Sequence, residues 1–248
     1  MNICIFGASG GLGWAFAKYY IEQFDNHVVI LCARNLTRLR AKLDKINAQG
    51  HRIFTHPWDA EDIKSTIKVS RFLKNYEIRL DLCINAAGVL HNNTFSPEIR
   101  LGECTPEHML WSFQNNTVAA LGITQYMSPF MKSTTLSTIA HLSSKVGSIN
   151  ENRLGGWYAY RASKAALNML VKTAAIDCAR FNKNLCVVAV HPGTVETHLS
   201  APFQEHVSKD KIFKPIQSVS NIILYVFGSL TPADTGTFFS WDGSIIDW

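Results

Sequence analysis

The chain has 248 residues, of which 47% are hydrophobic and 17% charged, with a formal net charge of +5. This composition excludes a disordered or fibrous chain and fits a globular protein with a large core. Acidic and basic residues are mixed along the chain, which argues against a nucleic-acid surface but leaves room for a local basic pocket for phosphate.

Six cysteines (Cys4, Cys32, Cys83, Cys104, Cys178 and Cys186) show no C-x-x-C spacing, and most sit inside apolar runs. That usage favours a reducing compartment over a disulfide framework. The opening "MNICIFGASGG" has no basic segment and too short an apolar run for a secretory signal, and no apolar run reaches the ~18 residues of a membrane span. The expectation is a soluble, cytoplasmic protein without nucleic-acid or membrane partners.

In chain order, the apolar run 2–7 predicts a first strand, and "GASGGLG" follows it, with Gly7, Gly10, Gly11 and Gly13 leading into a helix over 11–24. Glycines there let the backbone turn tightly and approach a pyrophosphate, which the helix N-terminus favours. The spacing 7, 11, 13 differs from the commoner G-x-G-x-x-G fingerprint, but its place between strand and helix points to a nucleotide.

A second strand over 27–33 ends "ILCARN", where an acidic residue would select NAD and an arginine a 2′-phosphate. Ala33 is followed by Arg34 with no carboxylate near, so NADP(H) is expected, with Arg34 as the phosphate clamp. A helix over 35–49 follows. The third strand region ends "HPWDAED", where Asp59 either caps the helix over 60–75 or bonds an adenine amino group. The fourth strand, 80–87, ends in Asn85-Ala86-Ala87-Gly88, small residues suited to a cofactor lying against backbone.

A long helix is predicted over 106–131, a strand over 136–144, a helix over 159–181, a strand over 185–193, a helix over 217–229 and a last strand over 237–243. Regular alternation of near-continuous apolar strands with helices implies an α/β, Rossmann-type, doubly wound parallel sheet with helices on both faces, in a single domain over 1–248. Ligands then bind beyond the carboxyl ends of the strands.

The helix opening "GGWYAYRASKAALNML" holds Tyr160 and Lys164 four residues apart, on one face, so the ammonium can favour the phenolate. Tyr158 points elsewhere and reads as packing at the helix mouth or edging the pocket. Residues 198–216 lack a strong period and read as a substrate loop or lid, with Phe203 and Phe213 available to cover an apolar substrate. His191 and His198 lack the neighbours a metal site needs, and no metal is expected. Both long helices carry apolar residues on more than one face, which suggests a homodimer or homotetramer.

Six motifs occur in order: G-x-x-x-G-x-G at 7–13, N-A-A-G at 85–88, an asparagine in the helix over 106–131, serines at 143–144, Y-x-x-x-K at 160–164 and P-G-T-V-x-T at 192–197. Over essentially its whole length the chain resembles the short-chain dehydrogenase/reductase family, and more particularly its sniffer-type carbonyl reductases and C-factor-like bacterial members. One departure is Phe6, where the family often has threonine.

The resemblance implies that Tyr160 is the general acid in carbonyl reduction, that Lys164 lowers its pKa and bonds the nicotinamide ribose, and that Ser144, not Ser143, holds the substrate oxygen. Asn116 would hold a water through its backbone, with Asn115 as the second choice. Pro192, Gly193, Val195 and Thr197 would line the nicotinamide. The remaining cofactor contacts would come from Gly7, Ser9, Gly10, Gly11, Leu12, Gly13, Arg34, Asn35, Asp59 and Asn85 to Gly88. The implied activity is hydride transfer between NADP(H) and a small carbonyl or alcohol; a cofactor-binding signalling protein of the C-factor type is the alternative.

Overall fold

The computed structural model describes residues 1–204 and 208–248. Its strands are β1 (Asn2–Phe6), β2 (Val28–Ala33), β3 (Arg52–Pro57), β4 (Leu82–Asn85), β5 (Ser137–Leu142), β6 (Leu185–His191), the short β7 (Thr194–Val195) and β8 (Ile212–Phe213), and β9 (Phe238–Ser240). Seven of them form one sheet in the order β3-β2-β1-β4-β5-β6-β9 with every pairing parallel, while β7 pairs with β8. The chain runs outward from β1 to β3 and then crosses back to β4, so the strand order reverses between β1 and β4. A cleft is expected above that point.

The helices are α1 (Gly11–Gln23), α2 (Leu36–Leu43), α3 (Ile63–Asn75), α4 (Pro106–Phe113), α5 (Ala119–Met127), α6 (Tyr158–Phe181) and α7 (Pro215–Asn221). Successive side chains of a strand alternate between faces, and β1 divides accordingly. Cys4 and Phe6 join a cluster with Val69 and Leu73 of α3, Ile123 and Met127 of α5, and Leu167 and Val171 of α6. Ile3 and Ile5 join the opposite cluster with Phe16 and Tyr20 of α1, Leu39 of α2 and Val219 of α7. The sheet is therefore buried on both faces, and the strands read as continuous apolar runs for that reason. Each fully buried Phe or Ile contributes roughly 1.5–3 kcal/mol. Phe6 packs edge-on against Trp58 with ring centres 5.2 Å apart.

Several boundaries differ from expectation. The second helix stops at Leu43, where single turns and an Asn47 side chain that accepts from Gln49 N–H take over. The expected helix over 106–131 is α4, a π-helical turn (Gln114–Val118), α5 and a 3-10 turn (Ser128–Phe130), since Pro129 lacks an N–H to continue the ladder. α7 begins at Pro215 and continues as a π-helical segment, Ile222–Phe227. β5 ends before the two serines, and the last strand is cut to three residues by a turn in which Asp242 accepts from Ser244. The cap of α3 is Asp62, which accepts from Lys64 N–H, and not Asp59.

Candidate active site

Above the sheet's switch point lies a cleft of about 450 Å³. The glycine turn after β1 lies behind it and reaches it through Leu12. Gly7 has φ +77°, and a Cβ there would stand 2.8 Å from the Ala87 nitrogen, so the two strand-end loops touch only because residue 7 has no side chain. Gly11 faces Thr197 in the same way, with 2.6 Å between a built Cβ and the threonine methyl. Gly10 caps α1 without a side-chain hydrogen bond, and the first turn carries no acidic residue. The first-turn N–H groups are thus left for an anion, and the sequence fits a dinucleotide phosphate there.

Of the expected cofactor contacts, Leu12, Ala86, Ala87, Gly88, Pro192, Gly193, Val195 and Thr197 line the cleft. Gly7, Ser9, Gly10, Gly11 and Gly13 shape the turn behind Leu12. Asn85 is buried: its side chain accepts from Ala87 N–H at 3.1 Å and meets His141 Nδ1 at 3.1 Å, while Thr124 Oγ1 lies 2.9 Å from His141 Nε2. It braces the loop from below. Asn35 caps α2 by accepting from Arg38 N–H at 2.8 Å, and Asp59 closes a turn by accepting from Glu61 N–H. Arg34 is exposed beyond β2.

Tyr160 and Lys164 come into the cleft from the first turns of α6, and Ser144 comes from the segment just after β5. Lys164 is only 3% exposed; its Nζ donates to Leu142 O at 2.9 Å and lies 5.8 Å from the centre of the Tyr160 ring. Burial holds the ammonium down at about 8. Burial pushes the Tyr160 phenol up to about 12, against a smaller downward pull from the Ser144 hydroxyl. Contrary to the expected depression by Lys164, the phenol is shifted by burial and Ser144 alone, and burial dominates. Ser143 is buried and donates to Asn168 Oδ1 at 2.6 Å, which leaves Ser144 as the serine paired with the phenol. Tyr158 lines a separate, smaller cavity with Val146 and Arg161.

Asn116 lies in the π-helical turn. Its side chain accepts from Val89 N–H at 2.8 Å and donates to Val89 O and Ser163 Oγ, both at 3.0 Å. A Cβ on Gly88 would stand 3.3 Å from both Asn116 Oδ1 and Lys164 Nζ, so these two side chains converge on one spot. Asn115 turns away and donates to Glu61 and to Trp111 O.

Leu90, Val146, Leu154, Trp157, Leu199 and Phe203 also line the cleft, together with the charged Lys145, Glu151, Arg153 and Arg161. Phe213 does not. It packs on Trp241 at 4.7 Å beneath Gly193, whose φ of +80° turns the backbone there. Of the expected 198–216 loop, residues 205–207 lie outside the described residues. His191 lines the cleft, and burial takes it down to about 4, so it is neutral. His198 stacks on His91 with centres 5.6 Å apart.

Two features escaped the sequence reading. Lys42 donates to Ser9 O at 3.1 Å and lies 5.4 Å over the Trp14 ring, and burial and then the Arg38 charge hold its ammonium below the usual range. The spacing of Arg34, Arg38 and Lys42, four apart each time, was the available signal. The second is a buried Glu98–His108 pair beneath the start of α6.

The short chain dehydrogenase family model matches residues 1–208. The chain belongs to the short-chain dehydrogenase family. Curated relatives include C-signal of Myxococcus xanthus, 32% identical over 68% of this chain and 96% of that protein, and an oxidoreductase of Saccharomyces cerevisiae, 33% identical over 97% and 94%. Among solved structures, the carbonyl reductase Sniffer of D. melanogaster superposes with a TM-score of 0.83 at 24% identity, covering 100% of this chain and 99% of that one. An NADPH-bound carbonyl reductase from chicken fatty liver gives 0.80 at 24% identity, covering 100% and 98%. These likenesses establish the fold, a Rossmann-type parallel sheet in a single domain. No helix of the described residues is long and apolar enough to cross a membrane.

Proposed function

We propose that this short-chain dehydrogenase is an NADP(H)-dependent oxidoreductase that reduces a carbonyl, or oxidises the corresponding alcohol, with Ser144, Tyr160 and Lys164 as its acid-base unit. The observation that carries this reading is the convergence of those three side chains, two of them buried, in one cleft that the strand-end segments after β4, β5 and β6 also line. When bound, the nicotinamide supplies or accepts the hydride.

In reduction, Tyr160 donates its phenolic proton to the carbonyl oxygen, and Ser144 Oγ holds that oxygen while negative charge develops on it. A phenol held at about 12 is fully protonated at neutral pH, as a proton donor requires. Lys164 keeps a positive charge beside the reacting oxygen, and Leu142 O fixes the direction of its Nζ. Asn116, braced on Val89 and Ser163, bounds the far side of the lysine; the water it would hold is the route by which a proton returns to Tyr160.

Preference for the 2′-phosphorylated cofactor is supported by Arg34 after β2, by the lack of a carboxylate at that strand end, and by Lys42 on the neighbouring face of α2. The Leu90, Leu154, Trp157, Leu199 and Phe203 side chains in the lining fit a carbonyl compound with an apolar body. Exposed Leu110, Val118 and Leu121 on α4–α5 and Met169 and Ile176 on α6 support a homodimer or homotetramer through these helices. The six free thiols fit a reducing, cytoplasmic setting. A signalling role with little turnover draws support from the C-signal likeness.

The reading is tested by titrating the protein with NADPH and NADH and then measuring turnover against a panel of aldehydes, ketones and quinones. Preferential NADPH binding with turnover supports it. Tight binding with a flat trace across the panel favours the signalling alternative.

A further inference from the structure

α6 carries both Tyr160 and Lys164, yet its N-terminus has no cap of its own. The residue in the capping position is Trp157, which has no side-chain oxygen to offer and no cap hydrogen bond. Its backbone sits at φ +52° and ψ +44°, the left-handed region that a bulky side chain rarely adopts. Something outside the helix has to hold it there.

That group is Glu98, from the loop before α4. Its backbone oxygen accepts from Trp157 N–H, and its carboxyl oxygens accept from Ala159 N–H at 3.3 and 3.4 Å. Two of the first-turn donors of the helix are thus satisfied by one residue about sixty positions away. Glu98 is 2% exposed, so its carboxyl group would be costly without partners. His108 of α4 provides one: Nδ1 lies 2.9 Å from Glu98 Oε1, and Phe95 stacks on the imidazole with ring centres 4.8 Å apart at 3°. Among the described residues His108 Nε2 is buried without a partner, so the ring is held by this carboxyl contact and by stacking.

The consequence reaches the cleft. Trp157 stands edge-on to Tyr160 at 6.2 Å and to Phe203 at 5.1 Å, and both Trp157 and Tyr160 line the cavity. We infer that Glu98, oriented by His108, is a positioning residue that sets the first turn of α6 and so the placement of the Tyr160 phenol and the Trp157 ring. This rests on the reading of Tyr160 as proton donor. A displacement of about 1 Å at a reacting group costs on the order of a hundredfold in rate, which is why a buried clamp at the helix start matters more than its capping energy.

The test compares Glu98→Gln, His108→Gln and Tyr160→Phe with wild type in carbonyl reduction, NADPH binding and thermal unfolding, and measures the isotope effect with NADPH deuterated at the transferred position. Glu98→Gln keeps the shape of the side chain but loses one acceptor oxygen. The expected result is a fall in kcat of about tenfold to a hundredfold, an unchanged Kd for NADPH and a larger isotope effect. His108→Gln, the milder change if Glu98→Gln folds poorly, moves the same quantities the same way. Wild-type kcat with only a lower Tm would overturn the inference, and so would a parallel loss of kcat and NADPH affinity. If Tyr160→Phe keeps wild-type turnover, the reading of Tyr160 fails and takes the inference with it; if Tyr160→Phe is inactive while both clamp variants are normal, the inference alone fails.

Discussion

Lys164 Nζ stands 5.8 Å from the centre of the Tyr160 ring while donating to Leu142 O, in a pocket that leaves the lysine 3% exposed. A cation so placed works against the folded state. Its displacement from 10.5 to about 8 corresponds to about 3 kcal/mol against the folded state at neutral pH. Lys164→Met is expected to be inactive yet more stable, by up to about that amount. The sign follows from proton uptake: between pH 8 and 10.5 the unfolded chain binds a proton that the folded one does not, so wild-type stability from this group rises with pH across that window. The advantage of Lys164→Met is thus full below pH 8 and disappears by 10.5, which urea unfolding at several pH values would reveal. A less stable methionine variant at pH 7 would contradict this.

The same values set the pH dependence of turnover. The Tyr160 phenol, at about 12, stays protonated across the accessible range, so the alkaline limb of reduction belongs to Lys164. The kcat/KM for NADPH, which reports on the free protein, is expected to fall above about pH 8, and Lys164→Arg should move that limb upward in whatever activity it retains. A limb that stays near pH 8 in the arginine variant would assign it to another group.

The two serines separate activity from stability. Ser144→Ala should lower kcat by roughly 10²–10³, the loss expected for one donor to a developing oxyanion, with little change in Tm. Ser143→Ala leaves buried Asn168 Oδ1 without its 2.6 Å donor and should cost about 1–3 kcal/mol with kcat largely retained. Paired unfolding and kinetic measurements decide this, and the reverse pattern would exchange the roles of the two residues.

Much of this arrangement was legible in the sequence because it rests on local rules. The parallel sheet follows from apolar runs alternating with helical periods, and the cleft follows from glycines at strand ends. The Tyr160–Lys164 pair is visible because a helix places residues four apart on one face. What escaped depended on distance in the chain. Nothing local to Glu98 says that it caps a helix at residue 159, and Asp59 and Asp62 are equally good caps until the backbone shows which one accepts from Lys64. The Tyr160 phenol was misjudged because proximity of a cation is visible in spacing, whereas burial is a property of the whole fold.

Cofactor selectivity makes a further prediction. Arg34→Ala and Lys42→Ala should each weaken NADPH about tenfold or more, as expected for a lost charge-assisted hydrogen bond, and leave NADH binding nearly unchanged. Calorimetric titration with both cofactors checks it. Equal losses for the two would place these cations away from the 2′-phosphate.

The most direct test of the central claim is NADPH consumption by wild type and by Tyr160→Phe, with an apolar ketone or quinone as acceptor and NADPH affinity measured alongside. The account predicts turnover by wild type, a loss on the order of 10²-fold or more in the phenylalanine variant, and equal NADPH affinity in both. Undiminished turnover in Tyr160→Phe would contradict it.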